Sequence, residues 1–163
     1  MKKKLLIAVL MFLVSASSVY AQNYVKLMTL DYTQVVEVES GLVQTLDWMV
    51  ELTDPSDLHV SSMPDLITVQ ADGFYSVACT VRFPASTMGG GSRKVYIATD
   101  EEVIAANRVY VDAGEDATVS ASGLEYLTMG TNLICRVWQD SGETLEIRQD
   151  DHAYPVFSVG KLE

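Results

Sequence analysis

Alternation of apolar and polar residues at every second position restricts the fold of this sequence more than any other feature. In the clearest run the apolar positions are Tyr75, Val77, Cys79, Val81 and Phe83. Successive side chains of a β-strand point to opposite faces, so this run predicts a strand with one face in a core.

Shorter runs of the same kind occur along most of the chain, and each is closed by Gly, Pro, Asn or Asp. One of them predicts a strand over residues 46–52, with Leu46, Trp48, Val50 and Leu52 facing inward. Together the runs predict about ten strands, the pattern of an all-β sandwich or barrel. Three consecutive glycines, Gly89 to Gly91, are expected at a turn because glycine permits positive φ.

The first 21 residues have the composition of an export signal. Lysines at positions 2–4 precede an apolar run from Leu5 to Val14, and Val19 and Ala21 suit the positions before a cut at Gln22. Such a run spans about 15 Å as a helix, half of a ~30 Å hydrocarbon core, which makes a membrane anchor the weaker interpretation. We therefore predict a signal peptide at 1–21, an N-terminal segment with the first strand at 22–41, and secretion without membrane insertion.

Charge and composition narrow the class of protein. Beyond the predicted signal, eight Lys and Arg stand against 22 Asp and Glu, a net charge of −14. A phosphate backbone would be repelled, so nucleic acid is not expected as a partner. With 48% hydrophobic residues the chain can bury a core, which excludes disorder.

An ordered set of motifs resembles the C1q/TNF-like jelly-roll domain family. Its members here are Asp72-Gly73-Phe74-Tyr75, Gly91-Ser92-Arg93 before Val95-Tyr96-Ile97, Leu124-Glu125-Tyr126 with Met129-Gly130, Val137-Trp138-Gln139-Asp140-Ser141-Gly142, and Phe157-Ser158-Val159. Upstream, Trp48, Asp54 and Leu58-His59 are similar to bacterial and phage-associated members in particular. The likeness covers residues 42–163; Thr131 departs from it, since the family usually has Asp there.

The resemblance implies a sandwich of about ten antiparallel strands in two sheets. It also implies a homotrimer that recognises an extracellular protein or glycan through loops or lateral surfaces. In such a jelly roll the strands of Cys79 and Cys135 belong to opposite sheets, so the two cysteines form either a disulfide between the sheets or two buried thiols.

Four aromatic residues are candidates for a subunit interface. Phe74, Tyr96 and Trp138 have the opposite parity to the core positions of their strands, and Tyr110 is grouped with them. Large exposed aromatic side chains are enriched at protein interfaces. The alternative is that another strand or loop covers them.

Acidic loops, one of them followed by His152, are the candidates for a metal site. Alternate loops of antiparallel strands lie at the same end, so Asp100 and Glu101 are expected near Asp150 and Asp151. By the same rule, the loop that begins at Asp112 and contains Asp116 is expected near Asp140 and Glu143. Either end could supply oxygens to calcium, but no Asp-x-Asp-x-Asp-Gly loop occurs, and solvated carboxylates are the alternative. No other cofactor is expected.

Catalytic motifs are absent from the sequence. The two histidines, His59 and His152, belong to no recognisable nucleophile or zinc motif, and His59 is expected in a loop. We therefore predict a binding or structural module and not an enzyme. The alternatives are a monomeric carbohydrate-binding sandwich and a subunit of a surface fibre or phage-related appendage.

Overall fold

A computed structural model of the chain describes residues 24–28, 35–54, 57–60, 62–149 and 155–162. Every regular element within these ranges is a β-strand, which confirms the all-β prediction. The strands are β1 (Tyr24–Met28), β2 (Val35–Val38), β3 (Val43–Thr45), β4 (Val50–Thr53), β5 (Ile67–Thr68), β6 (Gly73–Phe83), β7 (Gly91–Ala98), β8 (Val103–Val111), β9 (Ala117–Leu127), β10 (Asn132–Gln139), β11 (Leu145–Arg148) and β12 (Val156–Lys161). None of the described residues forms a helix long and apolar enough to cross a bilayer.

The strands form two main antiparallel sheets and one small sheet. Sheet 1 has the order β4-β1-β12-β6-β9, and sheet 2 has the order β3-β10-β7-β8, with β5 also paired to β10. β2 and β11 pair only with each other and form sheet 3, which was not expected. Alternation within a strand shows that one face is buried, but it does not show which strand is the partner.

The core lies between sheets 1 and 2. β6 and β9 pair along their whole length, from Gly73 opposite Leu127 to Phe83 opposite Ala117. All five apolar residues that alternation assigns to the inward face of β6 are fully buried. Since burial of a large apolar side chain contributes about 1.5–3 kcal/mol, a slip of one residue in this pairing would be strongly unfavourable.

Strands that precede residue 42 are part of this sandwich. β1 pairs with β12 along one edge and with β4 along the other, and β2 pairs with β11. Because β1 is paired on both sides, it does not present an open strand edge whose backbone groups could pair with another subunit. The predicted signal peptide lies outside the described residues.

The strand predicted over residues 46–52 forms only in part. β4 covers Val50–Thr53, whereas residues 46–49 lie outside any strand. Leu46 and Trp48 are buried, but Leu52 is 47% exposed, so its inward assignment is wrong. β4 is an edge strand, and its pairing with β1 contains a register shift next to Leu27. Such an irregularity interrupts the alternation of faces.

Candidate interaction surfaces

The outward face of sheet 1 carries an exposed apolar patch where β6 and β9 pair. Phe74 lies opposite Tyr126, and the two rings meet edge to face with their centroids 5.3 Å apart. Leu124 lies on the same face, two positions before Tyr126. Phe74, Leu124 and Tyr126 are 55%, 58% and 57% exposed, respectively. We call these three residues the Phe74 patch.

Small uncharged residues surround the Phe74 patch on β6, β9 and β12. The outward positions there are Ser76, Ala78, Thr80, Thr118, Ser120, Ser122, Val156, Ser158 and Gly160. The first outward charge along β6 is Arg82, whose guanidinium pairs with the carboxylate of Asp116 at 2.5 Å. Depletion of charge is typical of the core of an interface, and here it occurs in a strongly acidic protein.

The outward face of sheet 2 carries cations and aromatic rings. One row in register across its four strands consists of Val43, Trp138, Lys94 and Arg108, and the next row places Arg136 opposite Tyr96. Lys94 Nζ lies 4.8 Å from the centroid of the Tyr96 ring, and Arg108 Cζ lies 5.8 Å from that of Trp138. We call Lys94, Tyr96, Arg108, Arg136 and Trp138 the cationic-aromatic patch.

The four aromatic residues predicted at an interface do not share one surface. Phe74 is on sheet 1, whereas Tyr96, Tyr110 and Trp138 are on sheet 2. Tyr110 is exposed and Trp138 is half-buried, but Tyr96 is only 7% exposed, so the expectation that it is an exposed aromatic is wrong. Burial raises the pKa of Tyr96, against the opposing effect of the Arg136 charge. Contact of any of the four with another subunit stays a prediction.

Acidic residues expected at one end of the sandwich do meet there. Asp116 and Glu143 line one groove, the backbone of Asp112 lies next to Gly90, and Asp140 lies next to Gly91. A hydrogen bond from Arg82 holds the pKa of Asp116 below its ordinary value. A hydrogen bond with the Ser86 side chain does the same for the pKa of Glu143, which also accepts backbone N–H groups of the neighbouring loop.

The other acidic end gives no metal cluster within the described ranges. Among the described residues of either end, no group of three or more His, Cys, Asp or Glu side chains is placed to hold an ion, so the calcium site considered at Asp112, Asp116, Asp140 and Glu143 does not form. Asp100 instead accepts a hydrogen bond from Asn132 Nδ2 at 3.2 Å, and Glu101 is exposed. Asp150, Asp151 and His152 lie outside the described residues, so calcium at this end stays a prediction.

His59 lies in the connection between β4 and β5, as expected of a loop residue, but it is buried. It forms an isolated β-bridge with Ile67, and its Nδ1 lies 3.6 Å from Glu51 Oε2. Its backbone N–H donates to the Asp54 carboxylate at 2.7 Å. No hydrogen bond links its ring to a nucleophilic side chain in the described part of the chain.

Cys79 of β6 and Cys135 of β10 are joined by a disulfide that connects the two main sheets. The two Sγ atoms are 2.08 Å apart, and both residues are fully buried. The covalent link therefore runs through the centre of the core and closes a long loop of 56 residues in sequence separation.

Solved structures match this architecture, although no protein-family model and no curated protein matches the sequence. The globular domain of zebrafish complement 1qA protein gives a TM-score of 0.58 at 10% identity, covering 86% of this chain and 98% of that chain. Murine APRIL at pH 5.0 gives 0.63 at 12% identity, covering 86% and 99%. The chain has the C1q/TNF-like jelly-roll fold. Eiger TNF from S. frugiperda gives 0.58 at 14% identity, covering 87% and 93%.

The C1q/TNF-like jelly roll separates the two candidate surfaces. The Phe74 patch is on the outward face of sheet 1, and the cationic-aromatic patch is on the outward face of sheet 2, with the core between them. A partner on one surface therefore leaves the other accessible, and substitutions on the two surfaces can be tested separately.

Proposed function

We propose that this protein is a secreted, non-enzymatic binding or structural module that assembles as a homotrimer through the outward face of sheet 1. The observation that carries the proposal is the Phe74 patch, whose half-exposed apolar side chains are followed along β6, β9 and β12 by the small uncharged outward residues named above. Contiguous exposed apolar surface of this kind marks an interaction site.

Charge explains why a second copy of the chain would use this face. Copies with a net charge of −14 beyond the predicted signal repel one another through most of their surface. The outward residues of β6, β9 and β12 between the Phe74 patch and Arg82 carry no charge, so a contact there brings fewer like charges together, and their small side chains allow close approach. The number three comes from the family resemblance noted in the sequence, which implies a homotrimer.

Secretion and the absence of catalysis have their own support. The N-terminal residues have the composition of a signal peptide, and a buried disulfide suits an oxidising compartment. Both cysteines are consumed by that disulfide, and the His59 ring is buried without a described nucleophile beside it. Activation of a serine or cysteine needs such a neighbouring base.

The test is the mass of the exported protein in solution, measured by light scattering after size exclusion. We expect three times the mass of one chain. Leu124→Glu would place a charge from each copy in the contact and should give monomers, since an unpaired buried charge costs several kcal/mol. Tyr110→Glu is the matched control, because Tyr110 is 74% exposed on the other sheet, and it should remain trimeric.

Two results would overturn the proposal. One is a monomeric wild-type protein at micromolar concentration. The other is a Leu124→Glu variant that keeps the trimeric mass, because the contact would then lie elsewhere. Dissociation by Tyr110→Glu alone would move the interface to sheet 2, where three of the four predicted aromatic residues lie.

A further inference from the structure

The cations of the cationic-aromatic patch have no described carboxylate partner. Lys94, Arg108 and Arg136 are three of the eight Lys and Arg residues that follow position 21. The ion pairs among the described residues instead involve His59, Arg82 and Arg148. Arg108 donates from Nη2 to a neutral group, the Ser92 hydroxyl, at 2.5 Å. Three such cations create a local positive field that attracts an anion to an otherwise acidic protein.

A shallow depression lies among these side chains. It has a volume of about 310 Å³ and is lined by Val43, Lys94, Tyr96, Arg108 and Trp138. Ligand sites range from about 300 to 1,000 Å³, so this one suits a single ring and not a large cofactor. Trp138 and Val43 offer apolar contact, and the two cations offer charge-assisted hydrogen bonds beside it.

The sheet beneath the depression favours a sugar over an extended peptide. A peptide that adds to a sheet needs a free strand edge for its backbone hydrogen bonds. Trp138 of β10 and Lys94 of β7, at the centre of the depression, lie on strands that are paired on both sides. The edge strands β3 and β8 contribute only Val43 and Arg108 at its margins. A sugar needs no strand edge, because its apolar ring face packs on an aromatic side chain while its substituents form hydrogen bonds.

We propose that the cationic-aromatic patch binds an anionic saccharide whose ring carries a carboxylate or a sulfate. Trp138 contacts the sugar ring, and Lys94 and Arg108 bind the anionic group. Arg136, in the next row, extends the positive surface towards an adjoining sugar. This inference rests on the proposed function only in treating the protein as a binding module, because its site is on the opposite sheet from the Phe74 patch.

The test is calorimetric titration of the exported protein with three probes. They are a uronic-acid tetrasaccharide, the same tetrasaccharide with its carboxylates reduced to alcohols, and a sulfated tetrasaccharide. We expect an acidic probe to bind at least about tenfold more tightly than the reduced one, and its affinity to fall as salt is raised. The two acidic probes distinguish carboxylate from sulfate recognition. Equal binding of the reduced probe, or no binding of either acidic probe, would overturn the proposal.

Variants separate a built site from general charge attraction. Arg108→Gln and Trp138→Leu should each weaken binding of the acidic probe by about tenfold or more, with both variants still folded at the temperature of the titration. Arg148→Gln removes one positive charge from an exposed position of β11 and should leave the affinity unchanged. An equal loss in Arg148→Gln would refute a specific site. Tighter binding of polyglutamate than of either acidic sugar would make the partner a peptide and would equally refute the proposal.

Failure of this inference can be told apart from failure of the proposed function. A monomer that binds the acidic probe would overturn the trimer and leave the saccharide site standing. A wild-type trimer that binds no probe, and that Leu124→Glu dissociates, would support the proposed assembly and overturn the saccharide site.

Discussion

Loss of the disulfide between Cys79 and Cys135 should lower the stability of this protein substantially. The crosslink joins residues 56 apart in sequence. In the chain-entropy model, closing a loop of that length removes enough freedom from the unfolded chain to contribute about 4 kcal/mol. For a domain of this size that corresponds to roughly 10–15 °C in melting temperature.

Burial of the disulfide determines how the measurement must be made. Both cysteines are fully buried, so a reductant reaches them only after the chain opens. The protein should therefore be unfolded in urea with and without dithiothreitol and then followed through refolding. Protein concentration must be held constant, because the stability of an assembled protein depends on it.

The double variant Cys79→Ala with Cys135→Ala is the matched control. It should be less stable than the oxidised wild type and insensitive to the reductant. Any loss in this variant beyond the loss that reduction causes measures the sulfur volume removed from the core. An unchanged wild-type urea midpoint after unfolding and refolding in reductant would show that the two sulfurs are not joined or that the crosslink does not stabilise the fold.

Two further predictions concern the end of the sandwich near Gly90. Gly90→Ala should lower the free energy of unfolding by about 1–3 kcal/mol, because a Cβ at this position would lie 2.7 Å from the Val111 carbonyl oxygen. Gly89→Ala, whose Cβ would be 3.4 Å from its nearest neighbour, should have a smaller effect in the same urea titration, and equal effects would contradict this explanation. Hydrogen bonding lowers the pKa of Glu143 in the folded state, so its stabilisation is complete above the ordinary value of 4.5 and is lost as pH falls through the folded pKa. Glu143→Gln should therefore flatten the fall in melting temperature between about pH 5 and 3, and an equally steep fall in the variant would count against it.

Period-two alternation predicted the strands and the core well because it reports directly which face of a strand is buried. The same alternation, extended along β9, also predicts the outward positions that form the Phe74 patch. The inward positions of β9 that begin with Val119 and Ala121 continue to Leu127, so extending them would have assigned Leu124 and Tyr126 outward. The sequence prediction did not single out either residue as an exposed apolar side chain.

Properties that depend on contacts between strands could not be predicted in the same way. Tyr96 has the outward parity that alternation assigns, but Lys94 lies over its ring and reduces its exposure. Glycines 89–91 were expected because a turn can require positive φ. At Gly90, however, glycine is required because the Val111 backbone leaves no room for a Cβ. Pairing of β2 with β11 joins segments about a hundred residues apart in sequence, and no local pattern encodes that choice.

The position of β1 also determines how the molecule responds to mechanical force. Tyr24 at the start of β1 lies opposite Gly160 near the end of β12, so the two described ends of the chain are neighbours at one end of the β1–β12 pair. A force that pulls these ends apart acts perpendicular to β1 and β12, so it breaks the hydrogen bonds between these two strands one after another. A force applied between the opposite faces of the sandwich acts instead on the covalent link between β6 and β10. The domain should therefore resist a force applied through the two described ends of the chain only weakly. It should resist a force that separates its two main sheets much more strongly, because the disulfide joins them.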